Sequence, residues 1–202
     1  NKIKYKTLIV NPKNFEKKIS KYKNYICLNA LHGPFGEDGK IQKILKKNNI
    51  KFTHSGITSS KNCFDKIITK KIISKKNILT AKYKLLKKKE FNFEELSILK
   101  KKYKKFVIKP NRSGSSYGIK LIKTNKDFTD FIREIETYKN KILMHDEILV
   151  EEFISGKELT VSTINFSKKI NALAVTEIKS KNSFFDYQAK YSSGYSKHIL
   201  PA

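Results

Sequence analysis

The spacing of apolar positions predicts a chain that changes character along its length. Lys6–Val10 reads as a short strand, and Tyr25–Ala30 as a mostly apolar strand of the buried parallel kind. That strand runs into His32-Gly33-Pro34-Phe35-Gly36-Glu37-Asp38-Gly39, a loop marked by three glycines. A helix follows with Ile41, Ile44 and Leu45 on one face, so strand, glycine loop and helix form an α/β unit. Asp65 to Lys75 reads as a second helix with Ile68 and Ile72 on its apolar side, Ala81–Leu86 as a strand and Phe93–Lys102 as a helix. Phe106–Lys109 predicts a strand stopped by Pro110, and Ile119–Lys123 another, separated by the small-residue loop Asn111-Arg112-Ser113-Gly114-Ser115-Ser116-Tyr117-Gly118. Asp127 caps or opens a helix expected to reach Tyr138. Ile148–Phe153, Glu158–Ile164 and Ile170–Ile178 read as strands joined by turns at Ser155-Gly156 and Ser167-Lys168. Asn182–Lys197 is polar and aromatic and reads as one long loop of the functional kind. Soft boundaries fall near residues 62 and 154.

At 202 residues the chain can bury a sizeable core, and no apolar run is long enough to span a bilayer. Charge needs a decision, because Lys and Arg total 44 against 18 acids, a formal +26. Such an excess points to nucleic acid or an anionic surface. Yet only Arg112 and Arg133 are arginine, the residue that reads bases and phosphates bidentately. Lysine is high alongside Ile, Asn, Phe and Tyr, all drawn from AT-rich codons, so most of the charge reads as solvated lysine faces. Such a surface binds polyanions weakly at low salt. Cys27 and Cys63 stand apart, outside any CxxC pattern, which argues against structural zinc and for reduced cytosolic thiols. The chain starts at Asn1, not Met, and enters a strand-like segment almost at once, and it stops at Ala202 with no helix or tail to close it, so both ends are expected to be cut, and the lack of a leader segment carries no weight.

Several stretches could carry chemistry, each with a plain alternative. Lys109 ends a buried strand beside a loop whose backbone N–H groups could cradle phosphate oxygens, although an ordinary hairpin turn has the same composition. No Gly-Lys-Ser/Thr leads into a helix, so it is not a Walker loop. Glu151 and Glu152 at a strand end, with Glu158 after the turn, could hold a nucleotide's amino and hydroxyl donors, or could be solvated acids. Phe184 to Tyr191, His32 in its glycine loop, and Asp65-Lys66 at a helix start are weaker candidates of the same kind.

Taken in order, these stretches resemble the D-alanine–D-alanine ligases of the ATP-grasp superfamily. Leu31-His32-Gly33 with Gly36-Glu37-Asp38-Gly39 and Gln42 resembles LHG…GEDG…Q, and Ser55-Gly56, Asp65-Lys66 and Lys70 resemble SG…DK…K. Lys109-Pro110 with Gly114-Ser115-Ser116-Tyr117-Gly118 resembles KP…GSSvG, and Glu151 to Glu158 resembles EEFI-x-G-x-E. Phe185-Asp186-Tyr187, Ala189-Lys190-Tyr191 and Pro201-Ala202 resemble YDYEAKY…PA. The resemblance runs from about residue 25 to residue 202. It implies an ATP-grasp fold preceded by a partial Rossmann-like N-terminal domain. The implied parts are an incomplete N-terminal domain over 1–62, a central ATP-grasp subdomain over 63–154 and the start of a C-terminal subdomain over 155–202.

The resemblance further implies roles. Lys66 and Lys109 would contact ATP phosphates, and Glu151, Glu152, Phe153 and Ile154 would form the adenine linker, with Glu151 accepting from the amino group. Glu158 would hold the ribose hydroxyls. The loop with Ser115 and Ser116 would close over the phosphates, Ser115 would bond Tyr191 to shut the site, and Lys190 would approach the γ-phosphate and the substrate carboxylate. His32 would lie near the first D-alanine. The cofactors implied are ATP and Mg²⁺ or Mn²⁺, with metal ligands outside this stretch. The partners implied are D-alanine and a second copy in a cytoplasmic homodimer, without specific nucleic acid or membrane. The pair Lys190-Tyr191 favours D-alanine as second substrate, because ligases that use D-lactate lack it. Gln188 replaces a usual Glu and Phe185 a usual Tyr, substitutions expected to be tolerated. The family's N-terminal substrate-binding Glu, its C-terminal Arg and its Mg²⁺ ligands have no counterpart here, so the stretch alone is expected to bind ATP weakly and to lack catalysis. The alternatives are another carboxylate–amine ligase, a basic nucleic-acid-binding protein and a decayed gene product.

Overall fold

The structure is a computed structural model that describes residues 3–137, 140–166, 169–182 and 184–202. It divides into two compact units, Asn1–Thr69 and Lys70–Ala202.

In the first unit, β1 (Ile26–Cys27) and β2 (Lys51–Phe52) pair in parallel, with helix α2 (Lys40–Lys47) between them in sequence. Helix α1 (Phe15–Ile19) precedes them and α3 (Ile57–Phe64) follows. Phe15 and Ile19 from α1 join Ile41 and Leu45 from α2, together with Ile50, in one core. Two sequence expectations change here. Lys6–Val10 forms no strand, because a strand needs a partner for its N–H and C=O groups. Instead, Leu8 and Val10 pack on the core by their side chains. The expected strand Tyr25–Ala30 shortens to two residues, and it is not of the doubly buried kind, since Ile26 and Leu28 are exposed.

Helix α4 (Lys66–Ser74) leads from the first unit into the second. Its start is held by Asp65, a buried residue whose carboxylate accepts the Ile68 N–H at 3.0 Å. The buried positions of α4 are Ile67 and Lys70, whereas Ile72 of the expected apolar stripe is exposed. A cage of acceptors around the Lys70 ammonium, described below, outweighs the apolar stripe in deciding which side turns inward.

The second unit is organised by an antiparallel sheet in the order β3–β6–β4–β5, with β3 Tyr83–Lys87, β4 Phe106–Pro110, β5 Lys120–Ile122 and β6 Glu147–Glu152. Alternation divides its residues by face. Leu86, Phe106, Ile108, Ile122, Ile148 and Val150 pack against Leu96 and Leu99 of α5 (Phe93–Tyr103) and Phe131 and Ile132 of α6 (Asn125–Glu136). The register places Tyr83, Leu85, Val107, Lys109, Leu121, Leu149 and Glu151 on the opposite face. This division sends Lys109 and Glu151 to one side of the sheet and the helices to the other.

Helix α6 opens on a capping box: Thr124 accepts the Asp127 N–H at 3.1 Å, and Asp127 accepts the N–H of Thr124 at 2.8 Å. Backbone donation from Thr124 and from Lys123 holds the Asp127 carboxyl below its usual range. A depressed native pKa gives stability that is present above the ordinary carboxylate range and lost as pH falls through the native value. Asp127→Ala should therefore cost about 1 kcal/mol near neutrality. In urea unfolding the gap from the parent protein should shrink as pH falls through and below the ordinary carboxylate range. The expected helix end at Tyr138 and the turn at Ser167-Lys168 lie outside the described residues.

A second sheet, β7–β8–β9, is formed by β7 Glu158–Phe166, β8 Lys169–Ser180 and β9 Ser196–Ile199. The expected long loop from Asn182 to Lys197 is in part ordered structure. It contains helix α7 (Tyr187–Tyr191) and the start of β9. Asp186 caps α7 by accepting the Ala189 N–H at 2.8 Å, and β9 pairs with β8 from Ser196↔Ser180 to Ile199↔Glu177. Polar composition concealed both elements, one short and stabilised by its cap, the other stabilised by its ladder.

Candidate functional site

Glu151 stands on the face of the first sheet away from the helices, opposite Tyr83 on one neighbouring strand and Val107 on the other. Its side chain is buried, and its carboxylate meets two lysines. Oε1 lies 2.6 Å from the Lys70 ammonium, and Oε2 pairs with Lys109, one step along the same face from Val107. Lys70 also donates to Thr80 Oγ1 at 2.6 Å and to the Ala81 carbonyl at 3.2 Å, and its ammonium lies 5.0 Å from the centre of the Tyr83 ring. Such a cluster is tolerated away from water only because each charge has an opposite partner and further hydrogen bonds.

The rest of the expected linker continues from this strand. Glu152 accepts the Lys82 N–H at 2.9 Å through its side chain, and its own N–H donates to the Lys82 carbonyl. The Phe153 N–H donates to the Lys105 carbonyl, with the Lys123 ammonium 4.7 Å from the Phe153 ring centre. Ile154 is exposed, and Glu158 opens β7 with its carboxylate facing the Phe185 N–H at 3.5 Å.

The serine loop hangs from β4. Asn111 anchors its start: the buried side chain donates to the Glu147 carboxylate at 2.9 Å and its N–H to the Glu147 carbonyl. Ser115 and Ser116 both adopt left-handed backbone, φ 53° and 57°, a conformation costing non-glycine residues on the order of 1 kcal/mol each. Gly118 closes the loop at φ 72° where a Cβ would lie 3.1 Å from Pro110, so a larger residue would be both strained and crowded. Ser115 Oγ lies 2.8 Å from the Tyr191 hydroxyl, and Ser116 Oγ donates to the Phe185 carbonyl at 3.0 Å. Two hydrogen bonds thus tie the serine loop to the α7 segment. Lys190 lies on α7 with its ammonium 5.4 Å from the Phe185 ring centre.

His32 and Lys66 belong to the first unit. The His32 loop is braced by Asn29 and Gln42, which both donate to the Gly36 carbonyl at 2.8 and 3.1 Å, and by Glu37, which accepts the Gly33 N–H. Gly36 is fitted to this turn, since a Cβ there would fall 2.4 Å from that of Leu31. Lys66 is the first residue of α4. The second unit thus gathers Lys109, Glu151 to Ile154 and Glu158 along strands and turns of its sheets, and Ser115, Ser116, Lys190 and Tyr191 around the loop contact.

Sequence reasoning gave Lys70 no role beyond its place in a motif, and it missed Thr80 and Asn111. The signal for Lys70 was a lysine three residues after Ile67, on the same side of one helix. Among the described residues no group of three or more His, Cys, Asp or Glu could hold a metal ion, and no helix is long and apolar enough to cross a membrane.

The family model for the D-ala D-ala ligase C-terminus matches residues 72–202. A D-alanine–D-alanine ligase from Pelagibacter ubique is 40% identical over 200 residues, covering 98% of this chain and 62% of that protein. The crystal structure of D-alanyl-alanine synthetase A from Vibrio cholerae superposes with a TM-score of 0.69 at 25% identity, covering 85% of this chain and 50% of the other. That of the Bacillus anthracis D-alanine–D-alanine ligase complexed with ATP gives 0.64 at 28% identity, covering 93% and 56%. The chain therefore spans about three fifths of the length of the curated relatives it matches. With the fold of these neighbours, which is ATP-grasp, and a family match over most of its length, the chain belongs to the D-ala D-ala ligase C-terminus family.

Proposed function

We propose that the protein to which this chain belongs joins two D-alanines at the expense of ATP, giving D-alanyl-D-alanine for peptidoglycan. The observation that carries this reading is the constellation on the second unit: paired lysine and carboxylate on the sheet face away from the helices, with a serine loop latched to the Lys190-Tyr191 helix. The ATP complex of the Bacillus anthracis relative supports ATP as the nucleotide. In this reading Lys66 and Lys109 hold phosphates, Glu151 to Ile154 line the adenine, Glu158 takes the ribose and His32 lies near the first D-alanine. For Glu151 to accept from the adenine amino group, its carboxylate must share lone pairs that Lys70 and Lys109 already engage. We also keep as proposals a Mg²⁺ or Mn²⁺ requirement, a cytoplasmic homodimer and functional boundaries near residues 62 and 154.

ATP would supply the phosphoryl group that converts one D-alanine carboxylate into an acyl phosphate, and the amine of the second D-alanine would displace phosphate from it. The chain's own contribution is positional. Lysine ammonium groups neutralise phosphate charge, and a closed loop keeps water from the reactive acyl group. The Ser115–Tyr191 contact suits that closure, because one hydrogen bond can form and break at little cost. Tyr191→Phe should leave the unfolding free energy within about 0.5 kcal/mol of the parent protein's and slow D-alanine-dependent ADP formation. Turnover equal to the parent protein's would remove the latch from the mechanism.

The test of the function is ADP release by the complete protein with ATP and Mg²⁺, adding D-alanine, L-alanine or D-lactate. Release that requires D-alanine alone is expected. No amino-acid-dependent release would sink the reading.

A further inference from the structure

We infer that Lys70 is a positioning residue that keeps Glu151 charge-compensated while Lys109 turns to a phosphate group of the nucleotide. The inference rests on the nucleotide role proposed for Lys109. Both lysines meet the same carboxylate, yet they differ in what else they can do. An ammonium has three N–H donors, and Lys70 has three acceptors: Glu151, Thr80 Oγ1 and the Ala81 carbonyl. Its side chain is 8% exposed. Lys70 is thus fully engaged and enclosed, and it is not the phosphate ligand. Lys109 retains 22% exposure at its side chain, so solvent or a ligand can approach it.

This asymmetry has an energetic consequence. A phosphate that draws Lys109 away removes one of the two cations on Glu151. With Lys70 in place, the buried carboxylate keeps a hydrogen-bonded partner throughout. Without Lys70, the same movement would leave a buried carboxylate unpaired, so the Glu151 carboxylate would hold Lys109 back as its remaining cation. Lys70 therefore favours nucleotide binding without touching nucleotide, by making Lys109 available.

The experiment titrates the complete protein with the β,γ-imido analogue of ATP and Mg²⁺ by calorimetry. The variants are Lys70→Met, Lys70→Arg, Glu151→Gln and the double variant Lys70→Met/Glu151→Gln. Lys70→Met should weaken binding by about tenfold or more, and Lys70→Arg, which keeps the charge, should recover most of that loss. Glu151→Gln and the double variant should bind within about threefold of each other, because Lys70 acts only through the charge on Glu151. This second comparison stands even if Lys70→Met alone does not fold. Equal binding by Lys70→Met and the parent protein, or a further large loss in the double variant relative to Glu151→Gln, would overturn the inference while leaving the nucleotide site intact. Absence of analogue binding by the parent protein would overturn the nucleotide reading and the inference with it.

Discussion

Glu151→Ala is expected to destabilise the second unit by about 3–5 kcal/mol, the usual cost of removing one partner from a buried ion pair. The reason lies with what remains. Lys70 sits at 7% exposure, and after the substitution its partners among the described residues are Thr80, the Ala81 carbonyl and the Tyr83 ring, none of them an anion. Desolvation of an ammonium is tolerated when a carboxylate lies 2.6 Å away and costs several kcal/mol when it does not. Urea unfolding of the complete protein, followed by circular dichroism, measures the effect. A loss under about 1 kcal/mol would show that water reaches Lys70 as soon as the carboxylate is gone, and that the cluster is less enclosed than its geometry indicates.

Phe131→Ala should cost a similar amount, about 3–5 kcal/mol, by a different mechanism. The ring is fully buried at the centre of α6. It meets Phe91 edge to face with centroids 6.1 Å apart, and the Lys120 ammonium lies 6.0 Å from its centre. Truncation removes apolar area and leaves a cavity between the helix and the sheet face formed by Phe106, Ile108 and Val150. Phe166, exposed on β7, is the matched control, and Phe166→Ala should change stability by no more than about 0.5 kcal/mol. If both variants lost the same amount, β7 would be covered in the complete protein by something other than solvent.

Much of the second unit was legible in the sequence because its signals are local. The helix expected over Phe93–Lys102 and the strands expected over Phe106–Lys109 and Ile148–Phe153 follow from period and punctuation, and β4 is buried in alternation, whereas Ile148 to Glu151 of β6 are all buried. The serine loop was legible as a loop, but its left-handed Ser115 and Ser116 were not, because composition alone does not set φ. In the first unit structure departs from sequence pattern where an element depends on distant partners. Lys6–Val10 has strand-like residues yet forms no ladder, and Ile57–Phe64, whose apolar positions follow no clear period, is a helix.

The sequence by itself determined the α/β and α+β character, the order of the motifs and, through that order, the family resemblance, since each of these resides in neighbouring residues or in their spacing. Tertiary structure alone decided which charges meet. Lys70, Lys109 and Glu151 come from a helix and two strands far apart in the chain, and no periodicity relates them. Only the β4–β6 register brings Lys109 and Glu151 to one face, and only burial makes Lys70 a necessary partner, because the cost of leaving an ion unpaired depends on its distance from water.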